Sequence, residues 1–398
     1  MNFNIGKETN KINNTNSEIK TTTEKSNNSD AKKKMIKFMG IFVGGFLIIL
    51  LIIFIASIFI KREYSYEEIE EVLVTAAESY FEDHKESLPS EEGKIVEIDV
   101  ANLVDGEYMK DLSEYTKEGV SCIATVQVES VDSEYLYTPF LNCGDDNYVT
   151  KELYQEITSE DKIVTSGYGL YNQNGTYVYR GENVNNYVEL DKALWRIVKI
   201  TPNNSIVLIK DESIGEQLSW DDRYNEQEDY ETGINNYSAS RIKDELVKLY
   251  KEKPEDEEYE FLSANDKKKI ISHTLCIGKR GEQEIGTDNT IECSEVLENQ
   301  KISLLTVSDF LNASIDANCT TASSRSCQNY NYLVTSYKWW LATANKSNTK
   351  DVYSINNSGT VSIDEASNYA FIRPVIHLNG NILYKSGNGT AEKPYKLK

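Results

Sequence analysis

The longest uninterrupted apolar run in the chain is Phe38–Ile60, 23 residues without a charge. At about 1.5 Å rise per residue it spans roughly 34 Å as a helix, enough for a hydrocarbon core of about 30 Å. The pattern predicts one transmembrane helix over 36–60. It is longer than the apolar region of a signal peptide and begins well inside the chain, so the expectation is an uncleaved signal anchor. Before it, residues 1–35 are rich in Asn, Thr, Ser and Lys and nearly devoid of apolar side chains, which predicts a disordered tail. Lys32, Lys33, Lys34 and Lys37 crowd the near flank, whereas only Lys61 and Arg62 stand on the far one. The positive-inside rule therefore places the N-terminus in the cytoplasm and everything after Ile60 outside. With no ionisable group inside it, the span reads as an anchor and not as part of a channel or pump. Gly40 and Gly44 lie one turn apart, a spacing through which two such helices can pair.

The period then changes. Ser65 and Glu68 form a capping-box pattern, and Ile69, Val72, Leu73, Ala76, Ala77, Tyr80 and Phe81 follow on one helical stripe up to Leu88-Pro89. A strand is predicted near Ile95–Val100, then a turn-rich piece around Leu103–Leu112. Ser121–Glu129 and Glu134–Cys143 both alternate with period two, and Asp132-Ser133 between them reads as a two-residue hairpin turn. Cys122 and Cys143 are each ten positions out from that turn, so an antiparallel ladder places them face to face. On the same face Ala124 meets Leu141, Val126 meets Pro139, and Val128 meets Tyr137. One helix on a small antiparallel sheet predicts a membrane-proximal α+β domain over 63–150. The polar stretch Thr150–Lys162 reads as a link.

Residues 160–398 hold short alternating segments: Thr176–Tyr179, Tyr187–Leu190, Leu194–Ile200, Ile206–Lys210, Tyr337–Ala342, Val352–Ile355, Val361–Ile363 and Phe371–Leu378. Helices are predicted after Ser238 or Ser240, where Ile242, Leu246, Leu249 and Tyr250 share a face, and after Ser263. The fold class is α+β throughout.

Composition sharpens this outline. The chain has 398 residues, 42 basic and 64 acidic, for a net charge of -22. Residues 1–37 carry +4, so the remainder carries -26. An acidic surface repels phosphate backbones, which excludes nucleic acid as a partner. All six cysteines follow the apolar run, as expected for disulfides formed outside a reducing compartment. Beside Cys122–Cys143, sequence proximity suggests Cys276–Cys293 and Cys319–Cys327. No CxxC or HxxxH spacing calls for a metal, and no cofactor motif is present. His84, His273 and His377 stand in no sequence pattern that supplies a nucleophile. Trp339 and Trp340 point to opposite faces of a strand. The core reading of both is the commoner one, and an outward Trp would make a glycan or protein contact. Arg373, beside Pro374, suits a buried ion pair or a ligand carboxylate. The acidic run Asp221–Asp229 offers oxygen ligands for calcium without EF-hand spacing, and reads as a solvated loop.

Several ordered strings in the second half carry a resemblance. They are Gly181-Glu-Asn-Val-Asn-Asn-Tyr187, Leu194-Trp-Arg-Ile-Val198, Ile209-Lys-Asp-Glu-Ser213, Leu304-Leu-Thr-x-Ser-Asp-Phe310, Trp339-Trp-Leu341, Val352-Tyr-x-Ile-x-x-x-Gly359, Ile372-Arg-Pro-Val-Ile376 and Gly387-Asn-Gly-Thr390 before Pro394-Tyr395. Over about 165–398 the chain resembles an uncharacterised domain family of exported proteins in low-GC Gram-positive bacteria. That family is similar to the C-type-lectin-like fold, which formylglycine-generating enzymes also use. The resemblance implies a compact α+β domain with a small twisted sheet and long loops, and it implies no catalysis. The copper-binding cysteine pair of those enzymes has no placeable equivalent, since the simplest state of Cys319 and Cys327 is a disulfide. The expectation is a non-catalytic surface protein that binds a ligand or adheres. The alternatives are a cell-envelope enzyme on the same scaffold and a pilus- or envelope-associated structural component.

Overall fold

The computed structural model describes residues 64–144, 148–251 and 261–398. The expected tail over 1–35, the transmembrane helix over 36–60 and the Gly40–Gly44 pair lie outside the described residues. Among the described residues no helix is long and apolar enough to cross a membrane. The architecture is mixed α+β with two hydrophobic cores.

The first core is built from neighbours in sequence. Helix α1 (Tyr66–Asp83) starts at Ser65, whose hydroxyl accepts from the Glu68 N–H while Glu68 reaches back to the Ser65 N–H. Its stripe of Ile69, Leu73, Ala76, Ala77 and Phe81 is buried. The helix stops at His84, before Leu88-Pro89, where the imidazole and N–H of His84 both meet the Tyr80 carbonyl. β1 (Ile95–Asp99) and the short helix α2 (Val100–Asp105) follow, the latter starting where the strand was expected to end and running into the stretch expected to be turn-rich. β2 (Ile123–Val131) and β3 (Glu134–Cys143) pair with Ala124 opposite Leu141, Val126 opposite Pro139 and Val128 opposite Tyr137. Asp132 and Ser133 both take positive φ (51° and 68°), the turn geometry that matches strand twist. The Cys122–Cys143 bond closes the open end. With β4 (Tyr148–Val149) the sheet order is β1-β2-β3-β4.

The expected link does not behave as one. Helix α3 (Leu153–Ile157) lies inside Thr150–Lys162, and Leu153 and Ile157 are fully buried in the second core. Two apolar residues four apart on a five-residue helix suffice to anchor it, and they were hidden among charges. Strands β5 (Gly169–Gln173), β6 (Thr176–Arg180), β7 (Tyr187–Leu190), β8 (Ala193–Ile200), β9 (Ile206–Lys210) and β10 (Ile214–Ser219) come next. After them stand α4 (Arg241–Lys251), α5 (Ala264–Lys268), β11 (His273–Cys276), β12 (Val296–Gln300) and α6 (Val307–Asn312). β13 (Trp339–Ala344), β14 (Asp351–Ile355), β15 (Val361–Glu365), β16 (Tyr369–Ile372) and β17 (Val375–Leu378) follow, and β18 (Tyr384–Ser386) and β19 (Lys396–Leu397) form a last pair. One sheet runs β17-β9-β8-β6-β5 with β7 on β8, and a second runs β10-β16-β13-β14-β15.

β13 lies inside the second sheet, with both of its faces covered, and all six of its residues are buried. Trp339 and Trp340 are therefore both enclosed, and neither faces outward. The Trp340 indole N–H donates to the Leu218 carbonyl at 2.8 Å. Arg373 is buried too, and its partner differs from the expected carboxylate. Its guanidinium donates to the Lys210 and Leu333 carbonyls (3.0 and 3.1 Å) and lies over the Trp339 ring at 5.0 Å. Carbonyl dipoles and an aromatic face solvate the charge there.

From Tyr64 onward the described residues form one compact unit. Buried Glu70 on α1 holds the two cores together, accepting from Thr150 Oγ1 (2.5 Å), the Tyr148 hydroxyl (2.7 Å) and Lys398 Nζ (2.6 Å). Farther along, the Glu129 carboxylate accepts from the amides of Asn379 (3.2 Å) and Asn381 (2.7 Å).

Candidate functional site

Two histidines that are 104 positions apart meet face to face. β17 pairs antiparallel with β9, which sets His377 opposite Val207. β11 pairs with β12 and sets His273 opposite Gln300. Ser303, just beyond β12, exchanges both backbone bonds with Val375 (2.9 and 2.8 Å), and this draws β11 alongside β17. The two imidazoles stack with centroids 3.8 Å apart and planes 3° from parallel. His273 Nε2 lies 3.0 Å from Ser303 Oγ, while its buried Nδ1 has no partner. His377 keeps a partly exposed edge.

These rings form one wall of a cavity of about 400 Å³. Another part of the lining comes from α6, whose N-cap is Thr306 in a reciprocal capping arrangement with Asp309. Asp309 accepts from Lys199 Nζ on β8 (2.6 Å) and from Asn289 Nδ2 (2.9 Å). Asn289 takes φ +68° in the loop closed by the Cys276–Cys293 disulfide, so the staple also sets this wall. At the far end Gln173 and Asn312 exchange amide hydrogen bonds at 3.1 and 3.0 Å. Val178, Val207, Leu305 and Val375 supply apolar floor. The volume suits a small ligand, and the lining mixes a few placed polar groups with apolar surface, as binding pockets do.

The electrostatics decide what the cavity can do. Burial, reinforced by the positive charges of Lys199 and Lys301, pushes the His273 pKa down to about 3. Burial, with His273 and Lys199 nearby, holds His377 well below its ordinary value. Burial alone would raise Asp309, but the charge of Lys199 and the hydrogen bonds from Lys199, Asn289 and Thr306 outweigh it, and its pKa is lowered. The cavity therefore holds two neutral imidazoles, one internally neutralised Lys–Asp pair and the Asp288 carboxylate, which the hydrogen bonds from Thr290 keep ionised. A Ser–His contact of 3.0 Å has the reach for nucleophile activation. Protonating an imidazole with a pKa near 3 costs on the order of 5 kcal/mol more than protonating a free one. No carboxylate meets Nδ1 to offset that cost. As a general base His273 is poorly poised. As a neutral hydrogen-bonding and stacking surface it is well placed.

The residues singled out by sequence lie elsewhere. Trp339, Trp340 and Arg373 are core residues and line no part of this cavity. Asp221, at the head of the acidic run, is enclosed and organises its own loop. It accepts from Arg223 Nε (2.9 Å) and from the backbone N–H groups of Arg223, Ile234 and Arg241. Among the described residues no group of three or more His, Cys, Asp or Glu side chains could hold a metal ion. Cys319 and Cys327 are joined in a disulfide. His273 and His377, which no sequence pattern ties to a nucleophile, are brought together on the cavity wall by the fold alone. The Thr306-x-x-Asp309 capping pattern was the one local signal that could have marked α6 and its carboxylate. No known protein family matches the chain, and neither does any curated protein or solved structure.

Proposed function

We propose that this chain is a single-pass, membrane-anchored bacterial surface protein whose outer part binds a small neutral polyhydroxylated ligand, a glycan unit, without catalysing a reaction. The carrying observation is the cavity beside the stacked His273–His377 pair, with an unpartnered ring nitrogen and hydroxyl and amide groups around an apolar floor. Sugars present hydroxyls to donors and acceptors alike and lay their C–H faces on flat rings, and the Asp288 carboxylate on the lining disfavours an anionic ligand. The three disulfides support export, and the uncharged run Phe38–Ile60 supports the anchor. The likeness to the C-type-lectin-like family points the same way.

The full-length chain in detergent, applied to an array of neutral mono- and oligosaccharides, tests this reading. A retained glycan whose affinity falls about tenfold in Asn289→Ala and in His377→Ala is the expected result, as one lost hydrogen bond or ring face is worth about 1–1.5 kcal/mol. A protein that retains no glycan, or retains one with equal affinity in both variants, removes it. The Ser303–His273 contact favours a second reading, an acyl-transfer enzyme. Labelling of Ser303 by a serine-directed fluorophosphonate is the outcome that would select it.

A further inference from the structure

The hairpin turn of the first module abuts the segments that lead into the cavity's histidine and serine. The Asp132 carboxylate accepts from the backbone N–H of Ser272 at 3.1 Å, one residue before His273. It also pairs with the Lys301 ammonium, two residues before Ser303. Lys301 donates in turn to the Ile270 carbonyl (2.8 Å), and the Ile271 N–H donates to the His377 carbonyl (2.9 Å). One carboxylate thus touches both segments that run into the Ser303–His273 contact, and the first of them also bonds to the backbone of His377.

Turn formation does not require this carboxylate. A turn with two positive φ values accepts Asn or Gly as readily as Asp. Stability does not require it either. Asp132 and Lys301 each keep 30% of their side-chain surface exposed, and such pairs add little to stability. What the pair does achieve is to tie the turn of one module to two cavity-bearing segments of the other.

We infer that Asp132 is a positioning residue for the cavity, coupling the membrane-proximal module to the His273–Ser303 wall. Resting on the binding reading above, this makes the chain a sensor of its ligand and not only a display surface. Coupling of this kind is reciprocal: docking of the hairpin changes the cavity by the same factor that a change in the cavity alters docking of the hairpin.

Both directions can be measured without a sugar. The chain has three histidines, so full-length protein labelled in its imidazole rings gives three ring signals in detergent micelles. Asp132→Asn keeps an acceptor for Ser272 and removes the charge facing Lys301. The expected result is that the His273 and His377 signals move while that of His84 stays. In the other direction, Ser303→Val removes the contact with His273. Amide exchange over residues 130–135 should then speed up about fivefold or more, the lower end of typical coupling, with exchange in Tyr66–Asp83 unchanged. Unmoved His273 and His377 signals, or hairpin exchange equal to wild type, overturn the inference. Faster exchange in the helix as well means general loosening, and also counts against it. Absence of glycan binding would remove the proposed function and leave these two readouts standing, so the two failures are distinguishable.

Discussion

The two modules solve the same problem with contacts of different range. In the first, helix α1 packs on a hairpin whose strands are consecutive and are closed by one disulfide. In the second, β17 pairs with β9 and β10 pairs with β16, which joins Val375 to Ile209 and Ile214 to Ile372. The first core is almost wholly apolar. The second encloses Asn186, Asp221, Asn225, Arg280, Glu292 and Arg373, which hydrogen-bond to the loops and strands packed around them. Arg280, for example, meets Glu292, Ser308 and the carbonyls of Glu284 and Gly286. Local contacts need only a repeating pattern. Long loops folded back on a sheet leave backbone groups inside, and buried polar side chains satisfy them.

The largest effect is expected at the seam between the modules. Glu70→Ala leaves Lys398, Tyr148 and Thr150 without their shared acceptor and should cost about 3–5 kcal/mol in chemical denaturation. Exchange monitored by mass spectrometry should then show residues 66–143 opening before the second module. Simultaneous opening would mean that the two cores are one cooperative unit and that the contrast drawn here is only geometrical.

Next comes the staple of the first module. Cys122→Ser with Cys143→Ser releases a loop of 21 positions and should cost about 3 kcal/mol in thermal denaturation. The hairpin register should survive, because the Asp132–Ser133 turn and the apolar face specify it independently. A shifted register in the double variant would show that the covalent bond, not the pattern, defines the module.

The smallest effect is a pH slope confined to the second module. The folded pKa of His273 lies below that of the free imidazole, so only the unfolded chain takes up a proton between pH 6.5 and about 3. Stability is complete above pH 6.5 and falls as the pH drops through that window. From pH 6.5 to 5 the loss attributable to His273 is about 2 kcal/mol, and His273→Gln should flatten it. Denaturation midpoints at the two pH values, in both proteins, check this. An equal slope in the variant would show that His273 carries no burial penalty.

Most of the first module was legible in advance. Ser65 and Glu68 announced the start of α1, the stripe through Phe81 announced its buried face, and the symmetric placing of Cys122 and Cys143 about the turn announced both register and disulfide. Where the reading went astray, tertiary surroundings outweighed a local cue. Polarity marked 150–162 as a link, although Leu153 and Ile157 were enough to seat a helix in the second core. Trp339 and Trp340, by contrast, are both buried, as the commoner reading has it, because both faces of β13 are covered. Arg373 called for an anion and found carbonyls and a ring.

The candidate site belongs almost entirely to what sequence leaves open. Period and turn chemistry determine an element and its buried face, because they act between residues a few positions apart. They carry no term for which distant strand lies alongside. The meeting of His273, His377 and Ser303, and that of Lys199 with Asp309, follow from β17 lying beside β9 and from Ser303 pairing with Val375. Those pairings are settled only when the two sheets close over a common core. The sequence by itself determined the helix, the hairpin and the first staple; the packing of the second core determined which side chains face the cavity and in what charge state.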